Sequence, residues 1–461
     1  MTLLDLTPRV REDARLATLP AVVIGAGPIG LAAAAHLQRR GIDFVILEAG
    51  DRVADSVRSW GHTRLFSPWR HLVDPVAREL LEARGWQHPA PEVAPTGGEL
   101  VEAYVAPLAE VPEIGARLRL GTEVVAVSRE GMDRTRSRGR ASTPFVIRTR
   151  TAGGDIDEIP ARAVIDASGT YRSPNPLSSN GLDLLGLAEI SDRVAPALPD
   201  VLGADRPRFA GRHTSVVGAG HSAANTLLAL VALAREEPGT RVSWLIRGSA
   251  AVRVTSSGDD ELADRARLGG RVDRAVSDGL IEMVDGFEII RAHRAGDQVS
   301  LVGHRRGEVV SHATDVVVNA TGFRPDLDML REIRLELDDI VEAPRRLAPL
   351  IDPNVHTCGT VEPHGYRELA HPESGFFIVG MKSYGRAPTF LLATGYEQVR
   401  SVAAWLDGDM SAASTVQLSL PATGVCCFVG LGCDGRGNLF GTVTIRSEIT
   451  LGAQGHTFSG E

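Results

Sequence analysis

Short apolar runs rich in β-branched residues punctuate this chain, and two of them run straight into clusters of glycine. Val22-Val23-Ile24 meets Gly25-Ala26-Gly27-Pro28-Ile29-Gly30, and the alanine-rich stretch Leu31–Leu37 follows. Unbroken apolarity without a period of two predicts a strand covered on both faces, and the Ala-rich run predicts a buried helix. Phe44-Val45-Ile46-Leu47 predicts the next strand, which ends in Glu48. The pattern returns later. His213-Thr214-Ser215-Val216-Val217 meets Gly218-Ala219-Gly220-His221-Ser222-Ala223, an apolar helical run follows, and Arg241–Ile246 predicts a strand that ends in Arg247.

The remaining positions fill in around these two units. Helices are expected over Val76–Gly85, with Gly85 as the stop, over Glu99–Ala109, and from about Leu391 to Trp405. Strands are expected at Glu123–Val127, Phe145–Arg150, Glu158–Ala167, Ile281–Ala292, Gln298–Gly303 and Phe376–Met381. Residues 129–142 are rich in Arg, Ser and Gly and read as a solvated hairpin tip; 250–275 read as charged and loop-like. Two apolar strands end in small residues, Val164-Ile165-Asp166-Ala167-Ser168-Gly169 and Val316-Val317-Val318-Asn319-Ala320-Thr321-Gly322. Small residues at a strand end let backbone lie against a ligand. The paired motifs make an internal repeat.

Each glycine turn has a chemical reading. In G-x-G-x-x-G, Gly25 allows the sharp turn, Gly27 lets backbone approach a pyrophosphate, and Gly30 lets helix and strand pack closely. The helix N-terminus then offers free N–H groups to phosphate. Glu48 is placed to accept hydrogen bonds from a ribose diol, so the first unit reads as an FAD site. The second unit is G-x-G-x-x-A, with Ala223 small enough for the same packing. Arg247 is read there as standing where the first unit has Glu48, and a guanidinium favours a 2′-phosphate, so this unit reads as an NADPH site. The expected fold is α/β, with two Rossmann-like dinucleotide-binding domains, the NADP domain inserted into a discontinuous FAD domain. The expected divisions are a mobile lead-in (1–19), the FAD domain (20–176 and 316–411), a connector (177–211), the NADP domain (212–315) and a flexible tail (412–461).

Composition narrows the partners. With 461 residues and a net charge of −9, the chain carries no nucleic-acid footprint. No apolar run is long enough for a membrane span and no signal peptide is apparent. Four cysteines without a C-x-x-C fit a reducing, cytoplasmic setting. Cys358 stands alone; Cys426, Cys427 and Cys433 read as incidental thiols of the tail, though such a set would suit a soft thiophile. His356, His364 and His371 lack metal-ligand spacing, and no metal site is expected. Nearly all 49 basic residues are arginine, and Lys382 is the single lysine. Beside the helix expected at Leu391, that compact charge is a candidate for contact with flavin or substrate.

Gly25-Ala26-Gly27-Pro28-Ile29-Gly30, Gly218-Ala219-Gly220-His221-Ser222-Ala223 and Ala320-Thr321-Gly322-Phe323-Arg324-Pro325 together resemble the flavoproteins with two dinucleotide-binding domains. Within that group the chain resembles class B flavin-dependent monooxygenases and the flavoproteins of bacterial arsenic-resistance gene clusters, over about residues 20–406. The resemblance implies FAD and NADPH as cofactors. It implies a cofactor-binding set of Gly25, Gly27, Pro28, Ile29, Gly30, Glu48, Arg58, Trp60, Val125, Ser168, Gly169, Gly218, Gly220, His221, Ser222, Ala223, Arg247, Thr321, Gly322 and Gly380. Arg58, Trp60, Arg64 and Phe66 are expected on the flavin side. It also implies a reaction: NADPH reduces the flavin, O2 gives a C4a-(hydro)peroxyflavin, and a small N-, S- or carbonyl-containing substrate is oxygenated. The monooxygenase pattern F-x-G-x-x-x-H is departed from at Phe209-Ala210-Gly211-Arg212-His213-Thr214-Ser215, where Ser215 replaces the final His. An NAD(P)H:acceptor reductase of the same fold, without oxygen insertion, therefore stands beside the oxygenase, and a non-catalytic flavin-binding partner protein is a third reading.

Overall fold

A computed structural model describes residues 12–248, 263–352 and 364–417. Cys358, His356 and the three tail cysteines lie outside the described residues.

The first unit builds a five-stranded parallel sheet. Its order is Phe376–Ile378, Ala163–Asp166, Ala21–Ile24, Phe44–Leu47, Leu118–Arg119. The strand Ala21–Ile24 is buried at every position, as its unbroken apolarity predicts. The helix Pro28–Arg39 starts with proline at its first position and buries every residue from Pro28 to Leu37. It is sandwiched between this sheet and the helices Pro75–Glu82 and Leu392–Leu406. Alanines on its faces let all three neighbours come close, and Gly395 of the last helix takes the side chain of Ile29 against its bare Cα.

A second five-stranded parallel sheet has the order Glu282–Val284, Arg241–Leu245, His213–Val217, Val316–Asn319, Val194–Ala195. The helices His221–Glu236 and Ala263–Ser277 accompany it. Each unit also carries a three-stranded antiparallel meander, Thr122–Arg129/Phe145–Thr151/Ile156–Ala161 and Phe287–Ala295/Gln298–Arg305/Glu308–Thr314. In each, the meander leads directly into the strand that ends beside the glycine turn, Ala163–Asp166 or Val316–Asn319. Gly25 and Gly218 therefore meet the same kind of neighbour.

Several expectations are revised. A boundary at 315/316 cuts the second sheet, because Val316–Asn319 pairs with Thr214–Val217. The segment 177–211 is more than a connector: Val194–Ala195 forms an edge strand. Residues 129–142 are not wholly solvated. Arg129 and Arg140 are buried with Glu373, Arg129 Nε donating to Oε1 at 2.8 Å and Arg140 Nε to Oε2 at 2.9 Å. Arg129 also stacks 3.5 Å over the Phe145 ring. One carboxylate shared by two guanidiniums, with carbonyls taking the spare N–H groups, satisfies charges that burial would otherwise penalise. Residues 12–17 form a helix, and Met410–Ser414 is a helix docked through the Ser401 hydroxyl onto the Ala413 carbonyl. The expected helix at Glu99–Ala109 contains one π turn, Val101–Val105. No helix among the described residues is long and apolar enough to cross a membrane.

Candidate functional site: two nucleotide cradles

The three glycines of the first turn have separable jobs. Gly25 sits at φ +97°, and a Cβ there would lie 2.8 Å from the Ala167 carbonyl oxygen. Gly30 presses its Cα on the Gly25 carbonyl; a Cβ would come within 1.9 Å of that oxygen. At Gly27 a Cβ would meet nothing within 4 Å. Conformation and packing require the outer two, while the middle one opens on space that a phosphate group would fill. Gly218 and Gly220 repeat this division. Gly218 is at φ +131° with the Ala320 carbonyl oxygen 2.1 Å from a notional Cβ, and Gly220 opens on space. Ala223 is fully buried, as helix–strand packing at the third position requires. His221 and Ser222 form the first turn of the following helix, and their carbonyls accept from Asn225 Nδ2 and Thr226 Oγ1. Both cradles thus fit a dinucleotide.

The strand-end residues differ. Glu48 Oε2 accepts from the Ala26 amide at 2.7 Å and Oε1 from the Gly50 amide at 2.8 Å, so the carboxylate is fixed at the lip of the first turn. Strand register corrects the expected equivalence with Arg247. Ile24 pairs with Leu47 and Val217 with Leu245, so the counterpart of Glu48 is Ile246, which is buried. Arg247 lies one residue further on, exposed, with Nη1 donating to the Ser179 carbonyl at 2.9 Å.

Lys382, Ser168 and Gly380 converge on the first turn. Lys382 is fully buried; its Nζ donates to Asp166 Oδ2 at 2.7 Å and to Ser168 Oγ at 3.1 Å. Asp166 Oδ1 in turn accepts from the Ser168 amide and hydroxyl. The ammonium is held inside an ion pair at the end of a central strand, which makes it a positioning group for Ser168 and Gly169. Gly380, at φ +68°, abuts Ile29 and donates its N–H to Gln398 Oε1 at 2.7 Å. Gln398 Nε2 donates to Ser383 Oγ, so this turn is tied to the helix Leu392–Leu406. Beside it, the Tyr384 hydroxyl is buried, and burial pushes its pKa up.

The other expected residues are distributed as follows. The Ala54 amide donates to the Ala26 carbonyl, which ties the segment carrying Arg58 and Trp60 to the first turn. Arg58 Nε donates to the Val53 carbonyl, and the Trp60 ring lies on bare Gly97. Arg64 donates to the Ala94 carbonyl and is largely exposed. Phe66 departs from the expected flavin side: its ring lies 5.3 Å from His221 and packs on the second core. Val125 is the extra residue of a bulge between Val124 and Ala126. The Asn175 carbonyl accepts from Asn319 Nδ2 at 3.0 Å beside Thr321, and the Gly322 carbonyl accepts from the Asn175 amide, joining the two chain crossings between the lobes. Ser215, at the departed monooxygenase pattern, is buried and bonded to His312 Nε2 at 2.8 Å. Asp166, Asn175, Trp244, Asn319 and Gln398 were not among the expected site residues. Only the first and fourth left a signal, as the residues preceding Ala-Ser-Gly and Ala-Thr-Gly.

Two parallel sheets, each with a glycine turn opening at its strand ends, define a Rossmann-type oxidoreductase with a pair of nucleotide sites. The family model described as pyridine nucleotide-disulphide oxidoreductase matches residues 22–346, and the chain belongs to this family. Its cofactors, FAD with NAD(P)H, are those that the two turns suit. Among curated proteins the chain is 26% identical over 321 residues to indole-3-pyruvate monooxygenase YUCCA1 of Oryza sativa subsp. japonica, covering 67% of this chain and 65% of the relative. The chain thus spans just under two thirds of that protein's length. Among solved structures, the bacillithiol disulfide reductase Bdr (YpdA) of Bacillus cereus superposes with a TM-score of 0.63 at 20% identity, covering 85% of this chain and 99% of that one. DfoA of Erwinia amylovora, a cadaverine monooxygenase solved with FAD, superposes at 0.60 with 13% identity, covering 88% and 99%. Reductases and monooxygenases thus share this architecture.

Proposed function

We propose that the protein is an NADPH-dependent FAD monooxygenase acting on a small N-, S- or carbonyl-containing substrate. The pair of unlike cradles, one lipped by the carboxylate of Glu48 and the other flanked by the exposed guanidinium of Arg247, supports FAD with NADPH, and the likeness to indole-3-pyruvate monooxygenase YUCCA1 supports oxygen insertion. Bound flavin and nicotinamide would supply the hydride transfer and the reaction with O2. The chain's own residues bind and orient. Glu48 uses its remaining lone pairs for the ribose diol of the first nucleotide. Gly27, Pro28 and Ile29 present the open backbone at the start of the first helix, and Gly220, His221 and Ser222 do so at the second. Arg247 meets the 2′-phosphate, as a guanidinium suits a phosphate fork. Lys382 acts through Asp166 and Ser168 and fixes the strand end, rather than touching substrate. Two of the similar proteins are named for oxygenating an amine, cadaverine, and a 2-oxo acid, indole-3-pyruvate, which supports the substrate class.

A second reading, a reductase without oxygen insertion, is favoured by buried Ser215 standing where the oxygenase pattern has His, and by the likeness to Bdr. Rapid mixing of the NADPH-reduced protein with O2 separates the two. The oxygenase reading expects an additional spectral species between reduced and oxidised flavin. Direct return to oxidised flavin, with all O2 recovered as hydrogen peroxide, contradicts it.

A further inference from the structure

One glycine of the second cradle is gripped from both ends by its neighbouring strand. The Gly218 N–H donates to the Leu245 carbonyl at 3.1 Å. The Gly218 carbonyl accepts from the indole Nε1 of Trp244 at 2.7 Å. Trp244 is among the largest fully buried side chains and lies on the strand Arg241–Leu245. In a trans peptide the C=O of one residue and the N–H of the next point to opposite sides. Holding the Gly218 carbonyl on Trp244 therefore turns the Ala219 N–H away from that strand. Among the described residues this N–H has no partner, and Gly220 beyond it opens on space.

The first cradle restrains its corresponding peptide by the other end. There Glu48 accepts the Ala26 N–H itself. The second cradle has buried Ile246 at that register position and no carboxylate to do so. An indole N–H is a donor only, so it can hold a carbonyl and leave the amide free.

We propose that Trp244 is a positioning residue for the nicotinamide nucleotide. Its indole presets the Gly218–Ala219 peptide, so that the Ala219 amide stands ready for a phosphate oxygen. The inference rests on the reading of this turn as a nicotinamide-nucleotide site. A peptide already turned toward its ligand need not be reoriented on binding, and such preorganisation appears as affinity.

The test is calorimetric titration of NADP+ and NAD+ into the flavin-loaded wild type and its Trp244→Phe variant, with steady-state NADPH oxidation alongside. Removing the indole N–H is expected to weaken NADP+ binding and raise KM for NADPH about two- to twelve-fold, the effect of one hydrogen bond's worth of preorganisation. Flavin content and kcat stay near the wild-type values, because the first cradle and the chemistry are untouched. Should the smaller Phe ring loosen the core, the benzothiophene analogue of tryptophan at position 244 removes only the N–H and must give the same shift. Wild-type affinity in either variant overturns the role of Trp244. A wild type that binds neither NADP+ nor NAD+ overturns the reading of the site itself, and the inference with it.

Discussion

At the end of the strand Ala163–Asp166, Asp166 Oδ1 accepts from the Ser168 amide at 3.1 Å and hydroxyl at 2.6 Å. At the end of Val316–Asn319, Asn319 Oδ1 accepts from the Thr321 amide at 3.3 Å and hydroxyl at 2.7 Å. The two turns have the same geometry and sit against Gly25 and Gly218 respectively. They differ in what the second atom of the side chain needs. Asn319 Nδ2 is a neutral donor and is satisfied by the Asn175 carbonyl. Asp166 Oδ2 is anionic and buried, so it requires a cation, and the chain's single lysine supplies it. A carboxylate in the first lobe thus commits a compact ammonium from the turn Gly380–Tyr384, whereas an amide in the second lobe is closed by a neighbouring loop. The chain's single lysine thus has a buried role that suits a compact point charge, bonded to Asp166 Oδ2 and Ser168 Oγ.

The largest predicted effect breaks that difference directly. Lys382→Met leaves Asp166 buried and unpaired, and a loss of about 3–5 kcal/mol is expected in denaturant unfolding. The double variant Asp166→Asn/Lys382→Met converts the first turn toward the chemistry of the second and should recover most of that loss. A double variant as unstable as the single one would refute the equivalence of the turns. With no other lysine in the chain, amine-directed labelling of the folded protein should leave position 382 unmodified and reach it only on unfolding.

The glycines provide the next contrast. Gly218→Ala places a methyl on the Ala320 carbonyl at a positive φ and is expected to destabilise by about 1–3 kcal/mol. Gly27→Ala and Gly220→Ala meet no protein atom. They should leave the unfolding midpoint of the nucleotide-free protein unchanged while weakening binding at their own cradle. Unfolding curves and nucleotide titrations on the same preparations check both halves.

A smaller effect separates the lips. Arg247→Ala should cost NADPH about tenfold in kcat/KM, as a lost charge-assisted contact does, and leave NADH nearly unaffected. The last is a pH effect in the second lobe. Burial and the adjacent His213 hold the His312 pKa down at about 4. A pKa below that of the unfolded chain means the unfolded state takes up the proton first. Stability should therefore fall as pH drops from about 6.5 to 4, and His312→Gln should flatten part of that slope.

Much of the frame was legible in the residues. Unbroken apolar runs announced parallel strands, glycine spacing announced both turns, and Ala-Ser-Gly and Ala-Thr-Gly announced the strand ends beside them. What remained hidden depended on register and long-range pairing. The counterpart of Glu48 is fixed by which residue lies opposite Ile24 or Val217, and sequence spacing alone placed it one position too far, at Arg247. Arg129 and Arg140 lie in an arginine-rich stretch that looks solvated; only Glu373, more than 200 residues away, makes their burial tolerable. Phe66 looked like a flavin neighbour from its aromatic context, yet the fold turns its ring onto the second lobe. Trp244 carried no pattern at all, since its indole bond is made across a strand pair.

The central claim, that one chain holds two unlike nucleotides in two cradles, is tested most directly by identifying and counting what the purified protein binds. Cofactor released by denaturation, followed by titration of the flavin-loaded protein with NADP+ and NAD+, should give one FAD per chain and a clear preference for NADP+. A colourless protein that cannot be loaded with flavin, or a flavoprotein indifferent to both nicotinamide nucleotides, would contradict it.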